Sequence, residues 1–420
     1  MRTQRTIATP QASLRDLESD NRDPSVETLG YSQSSLRNAS ANALGIGFGK
    51  LPCDFAHKFG HCLILLLTLT LGPSGNFATP AQPPQKKLIE FGWDEPDPAF
   101  MREHRAEMEN SAFDGCVFHI DAQKSGSAKT RFTWEAWGNR AFTEEELRAA
   151  LTDLKAAKFR RFNQNFLRFN TTPAKLDWFD DYSAVLNNAR LAAWFAREAK
   201  CPGLLFDIEQ YEGQLFDYRK QKDTKQKGWE RYAAKVRQRG REVMQAFQAE
   251  YPDLKVFLTF GYSLPWLESA SGKGSLADCH YGLLAPFLDG MIEVAKGRTR
   301  LIDGHEISYG YKDTNQFLVA YKTMKEELLP LVSDPEKYHK VFSFGFGLWL
   351  DQNWRKNGWD ENDLLKNYFS PEAFESSARQ ALAVADEYVW IYSETPRWWS
   401  KEGKPLKLPA AYEAALRRAR

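Results

Sequence analysis

One pattern restricts this chain more than any other. From Lys86 onward, short β-type apolar runs alternate with longer stretches of helical period. Eight runs follow in order: Lys86–Trp93, Gly115–Ile120, Asn165–Asn170, Gly203–Glu209, Leu254–Phe260, Arg300–Glu306, Lys340–Gly347 and Glu387–Ser393. Helical stretches fall between them, and two carry start signals. Asp97-Pro98 is an N-cap followed by proline at the first helical position. Thr143 with Glu146 three residues later is a capping box. The other helices are expected over Tyr182–Ala199, Gly228–Tyr251, Leu283–Ala295, Asn315–Val332 and Pro371–Asp386. Strand-then-helix order implies a parallel sheet. Eight such units over about 310 residues predict an α/β fold, a single (β/α)8 (TIM) barrel spanning 86–400, with 401–420 as a C-terminal helix or tail. The competing architecture is an open doubly wound sheet, but no glycine-rich phosphate loop follows any run.

The region before the barrel reads differently. Residues 1–60 are rich in Ser, Asn, Thr, Arg and Gln without a sustained apolar period, and form an expected disordered leader. Residues 61–82 are signal-peptide-like. His57–His61 supplies a weakly basic start, Cys62–Leu71 an apolar stretch of ten residues, and Ala78 or Ala81 a cleavage zone. Ten residues cannot span a bilayer, which needs about 20. The expectation is therefore a secreted or periplasmic protein with no stable membrane span.

A formal net charge of +1 gives no global field to attract nucleic acid or anionic surfaces. The one local Lys/Arg cluster, Arg219 to Lys227, reads as a solvated loop. The five cysteines show no zinc spacing, and neither HExxH nor a Gly-x-Ser-x-Gly elbow is present. No cofactor and no metal site is expected, and the oligomeric state is left open.

In a barrel the C-terminal ends of the strands form one mouth, where active sites of this fold lie. The ends here carry Trp93, Asp94 and Glu95, His119 and Asp121, Arg168 and Asn170, Asp207 and Glu209, Tyr262 and Ser263, Asp303, His305 and Glu306, Trp349 and Asp351, and Tyr392 and Glu394. The fourth run is the most informative. Side chains alternate along a strand, so Leu205, Asp207 and Glu209 share a face while Leu204, Phe206 and Ile208 share the other. The apolar face must pack on helices, which turns both carboxylates inward. Two carboxylates so close cannot both ionise freely, so one pKa rises, unless both simply pair with Arg168. One protonated acid beside one anion is what glycosidic cleavage uses. On the sixth run Asp303 and Glu306 fall on opposite faces, so both point inward only if the strand ends near Gly304; one of them is structural.

Aromatic content is 14% with 13 Trp, all between Trp93 and Trp399. Trp134, Trp137, Trp178, Trp266, Trp354, Trp398 and Trp399 lie on expected loops, where indoles stack on sugar rings; three or four are expected to do so. On the seventh run Ser343, Gly345, Gly347 and Trp349 share a face, which predicts a widened barrel centre with space for a ligand.

Phe206-Asp207-Ile208-Glu209 resembles the fourth-strand Asp-x-Glu ending of several barrel glycosidase families, the chitinase-like ones among them. The resemblance implies Glu209 as general acid and Asp207 as its helper. The chitinase-type pattern has acids two and four positions before the Asp, where this chain has Leu205 and Gly203, so no family or amino-sugar substrate is assigned. The expected function is a glycoside hydrolase acting on an oligo- or polysaccharide, with catalytic carboxylates drawn from Glu209, Asp207, Glu306 and Glu394. Trp93, Asp94, His119, Arg168, Asn170, Tyr262, His305, Trp349, Asp351, Tyr392 and Trp398 are the expected substrate contacts. A barrel lyase or isomerase using His305 or His119, and a non-catalytic glycan-binding barrel, are the other readings.

Overall fold

A computed structural model of the chain describes residues 86–124, 127–399 and 408–420. The expected leader and signal-like segment lie outside these residues. Nine strands form one sheet: β1 (Lys87–Gly92), β2 (Gly115–Phe118), β3 (Phe166–Asn170), β4 (Gly203–Asp207), β5 (Lys255–Leu258), β6 (Arg300–Asp303), β7 (Phe342–Phe344), β8 (Phe346–Trp349) and β9 (Tyr388–Ser393). Their order is β7-β6-β5-β4-β3-β2-β1-β9-β8, and every pairing is parallel. The two ends of that order, β7 and β8, are separated only by Gly345, whose N–H donates to Asp303 O at 2.7 Å. The seventh run thus pairs with β6 in its first half and β9 in its second, and the sheet closes on itself as an α/β barrel.

Local signals place the helices. Thr143 and Glu146 form both bonds of the capping box that starts Glu144–Ala157. Asp97 caps Phe100 N ahead of Pro98. The expected helix Asn315–Val332 is shorter, because Thr314–Lys322 passes into a π turn over Thr323–Glu327 and a 3-10 turn over Leu329–Leu331. A separate helix, Pro335–Val341, then leads into β7.

Alternation along the strands divides the core in two. Leu204, Phe206 and Ile208 belong to the large apolar layer beneath the helices, and Leu205 to a second cluster inside the barrel with Phe91, Phe166, Phe257, Trp349 and Trp390. The space expected beside Gly345 and Gly347 is filled. A Cβ on Gly347 would lie 2.7 Å from the Trp390 ring, and one on Gly304 3.0 Å from its Nε1. The indole also donates to Gly304 O at 2.7 Å. Gly304 and Gly347 therefore make room for one large side chain, while Gly345 lies against the Tyr388 backbone. The barrel centre is plugged, which confines any ligand to the mouth.

Candidate active site

The mouth holds a pocket of about 210 Å³ between the ends of β1, β2, β3, β4 and β9 and the loops that follow them. Its floor is built by β4. Asp207 is the last residue of that strand and fully buried. Glu209 continues on the same side, fixed by its own N–H donating to Asp207 Oδ1 at 3.1 Å and by Thr171 Oγ1 donating to its carbonyl at 3.2 Å. From β3, Arg168 extends along the same floor. Its Nε and Nη2 donate to Asp207 Oδ2 at 3.0 and 2.6 Å, and its Nη1 donates to Glu95 Oε2 at 2.9 Å. The guanidinium also lies over the rings of Trp134 and Phe91, with centroids at 4.7 and 5.0 Å.

Tyr211 joins these groups. Its hydroxyl accepts from Arg168 Nη2 at 3.0 Å and lies 2.9 Å from Asp207 Oδ2 and 3.1 Å from Glu209 Oε1. A phenol has one proton to give and two lone pairs. That one proton cannot serve both carboxyl groups at once, so Asp207 and Glu209 compete for it. Burial, then the negative charge of Asp207, pushes Glu209 up to about 8, against the opposing pull of Arg168 and of the Tyr211 hydroxyl. Glu306 is raised well above the carboxylate range, first by burial, then by Glu209 and Asp207, with a side-chain hydrogen bond to Glu209 reinforcing its neutral form.

The sixth run ends as one of its alternatives required. β6 stops at Asp303, His305 adopts a left-handed conformation (φ 44°), and Glu306 opens a 3-10 turn toward Glu209. Asp303 is the structural partner, accepting from His305 N at 2.9 Å and Ser263 Oγ at 3.4 Å. His305 is buried, its Nδ1 3.3 Å from Ser263 Oγ, and burial pushes it down to about 3, so it is neutral at ordinary pH. Glu394 follows β9 and is held by Trp354 Nε1 at 2.5 Å, Arg355 Nη2 at 2.7 Å and Tyr392 OH at 3.1 Å. Burial lifts it to about 7 although Arg355 and Trp354 oppose the shift.

Of the expected contacts, Trp93, His119, Arg168, Glu209 and Tyr392 line the pocket. The others stand away from it. Asp94 turns outward and accepts from Trp399 N at 2.7 Å, because it has the parity of Leu88 and Glu90, which face the helices while Ile89 and Phe91 face the barrel interior. Tyr262 bonds Asp289 at 2.7 Å within the outer core. Asn170 is fully buried beneath the floor, and Trp349 packs inside the barrel against Tyr309 and Tyr392. Asp351 accepts from Trp349 Nε1 and from the backbone of Glu394 and Thr395, anchoring that loop. Trp398 packs edge-on against Phe113 in the outer core. Trp137, Trp178 and Trp399 are also buried, Trp178 with its indole N–H on Leu215 O. Among the described Trp, only Trp93 and Trp134 reach the pocket, so the expected Trp wall reduces to two indoles.

Glu95, expected at the first strand end, and Trp134, expected among the loop indoles, both line the pocket, as do Tyr211 and Tyr309, which the sequence did not single out. Tyr211 sits two residues past Glu209, and continued inward alternation was its available signal. Among the described residues no group of three or more His, Cys, Asp or Glu is suited to a metal ion, and no helix is long and apolar enough to cross a membrane.

No family model matches the chain, and no curated protein matches it. Solved structures similar to it include a GH5-4 broad specificity endoglucanase from an uncultured bacterium, 13% identical over 78% of this chain and 85% of that one, with a TM-score of 0.42. Another is a GH5-4 broad specificity endoglucanase from Bacteroides salanitronis, 11% identical over 80% and 93%, with a TM-score of 0.43. The chemistry is therefore read from this chain's own side chains.

Proposed function

We propose that this chain is a glycoside hydrolase in which Glu209 is the general acid. The observation that carries the proposal is the buried carboxyl pair: Glu209 lines the pocket, its N–H is bound to Asp207, and both side chains share the Tyr211 hydroxyl. A carboxyl that keeps its proton near neutral pH, opening on a pocket, is suited to protonate a glycosidic oxygen as the bond to the sugar carbon breaks. Asp207 is wholly buried and held by Arg168, so it serves to position Glu209 and to hold up its pKa. The aromatic walls from Trp93, Trp134, Tyr309 and Tyr392 offer apolar faces for a sugar ring, and Arg168, His119 and Glu95 offer polar groups for its hydroxyls. In this reading the leader directs export, where polymeric carbohydrate is met; a mature N-terminus that retains residues before Gly72 would overturn that part.

The test is a glycan-panel screen of the wild type beside Glu209→Gln. Wild-type turnover with a loss of at least about 100-fold in the variant is expected. Full turnover by Glu209→Gln sinks the acid role. Glycan binding without any turnover by the wild type points to the glycan-binding reading instead.

A further inference from the structure

Hydrolysis with Glu209 as acid needs a second carboxylate to act on water or on the sugar carbon, and resting on that reading we infer that Glu95 is the second catalytic carboxylate, acting as general base. Three candidates from the strand ends are otherwise engaged. Asp207 is fully buried under Arg168 and Tyr211. Glu306 also keeps a buried oxygen, Oε2, without a hydrogen-bond partner, but it is charge-coupled to Glu209 and does not line the pocket. Glu394 is enclosed by Trp354, Arg355 and Tyr392, away from the pocket.

Glu95 differs from all three. Its side chain is only 10% exposed, yet it lines the same pocket as Glu209. One oxygen, Oε2, is fixed by Arg168 Nη1 at 2.9 Å, while the other, Oε1, is buried without a hydrogen-bond partner. A buried acceptor left open is costly, so the position is one that a bound water or hydroxyl completes. Arg168 thus orients the carboxylate and leaves its free lone pairs to the pocket. Asp121 also lines the pocket and is partly exposed like Glu95, but among the described residues no cationic side chain orients it.

The placement also bears on stereochemistry. Glu95 and Glu209 share no hydrogen bond and are linked through Arg168 and Tyr211, and the inverting course, with a water between carboxyl and sugar, follows from assigning Glu95 as the base. In the step, Glu95 takes a proton from that water as its oxygen bonds the anomeric carbon. The bond to the leaving oxygen breaks, and Glu209 supplies the proton that oxygen takes. The sugar is released with inverted configuration, and proton exchange with solvent resets the pair.

The experiment compares wild type, Glu95→Gln, Glu95→Ala and Asp121→Asn on the glycoside the wild type turns over best, with the product anomer followed by NMR. Expected are an inverted first product and a kcat at least about 100-fold lower in Glu95→Gln with little change in KM. Formate should partly restore Glu95→Ala, and Asp121→Asn should stay within a few-fold of the wild type. A retained anomer, an unaffected kcat, or a loss confined to KM in Glu95→Gln overturns the role of Glu95. If Glu209→Gln is inactive in the same assay, the acid reading survives that failure. A wild type that cleaves no glycoside overturns both together. Thermal unfolding of each variant separates a folding defect from a catalytic one, and an unfolded Glu95→Gln is replaced by formate rescue of Glu95→Ala as the deciding arm.

Discussion

Arg168 and Asp207 face each other through a two-pronged contact, Nε and Nη2 of the one donating to the same oxygen, Oδ2, of the other at 3.0 and 2.6 Å. Both side chains are nearly sealed from solvent, at 8% and 0% exposure. A buried charge left without its partner is costly, because desolvation is no longer offset by attraction. Arg168→Met is therefore expected to destabilise the fold by about 3–5 kcal/mol in urea denaturation. Adding Asp207→Asn to that variant should recover part of the loss, since the stranded charge is then gone. A double-mutant cycle with no coupling between the two positions would contradict the arrangement.

Glu209 gives a pH-dependent prediction. Its ordinary value of 4.5 is pushed up to about 8 in the folded chain by burial and by Asp207. Between those limits the native state holds a proton that the unfolded state releases, so stability contributed below pH 4.5 is lost as pH rises through about 8. Glu209→Gln removes this term. Its melting temperature should match the wild type near pH 4 and exceed it by a few degrees at pH 8 and above. An advantage that is constant across this range would contradict a raised Glu209.

The same two residues show how far the sequence carries. Alternation at Gly203–Glu209 is a local rule, and it correctly turned Leu205 into the barrel and Leu204, Phe206 and Ile208 toward the helices. The order of strands and helices was legible for the same reason, because apolar period and capping residues are set within a few positions. Which groups meet beyond a strand end was not. Asp94 and Glu95 are adjacent in sequence and part to opposite sides as alternation along β1 has it, the first to Trp399 and the second to Arg168. The partner in each case comes from a distant part of the chain, so no spacing could reveal it. Tryptophan was misjudged because a loop position says nothing about burial; Trp137 and Trp178 sit on loops or short turns yet are fully enclosed.

The plugged barrel centre predicts a steric effect. A methyl group added at Gly347 would stand 2.7 Å from the Trp390 ring, which is pinned by its own bond to Gly304 O. Gly347→Ala should cost about 1–3 kcal/mol, the usual range for overpacking. Trp390→Phe in the same chain should relieve part of it by supplying space. Chemical denaturation of the two single variants and the double variant measures this, and a neutral Gly347→Ala would mean the interior is looser than described.

The last prediction concerns the outer face of β1. Glu90 is fully buried there, accepting from Trp399 Nε1 at 2.7 Å, while neighbouring Asp94 accepts from Trp399 N at 2.7 Å. Burial raises Glu90 well above the carboxylate range, and the charges of Asp94 and Glu95 add to this; Arg397 pulls Asp94 the other way. Glu90 is thus held neutral, and the stability it contributes is present at low pH and falls away as pH rises toward its folded value. Glu90→Gln keeps an acceptor for the indole and carries no charge. It should leave stability within about 1 kcal/mol at pH 6 and improve it at pH 9. Glu90→Leu removes the acceptor and strands the indole N–H, at a cost of about 1–3 kcal/mol at either pH. Thermal unfolding of the three proteins at the two pH values decides it, and a Glu90→Gln variant that weakens with rising pH faster than the wild type would show that the carboxylate, and not the acid, is the form the fold holds.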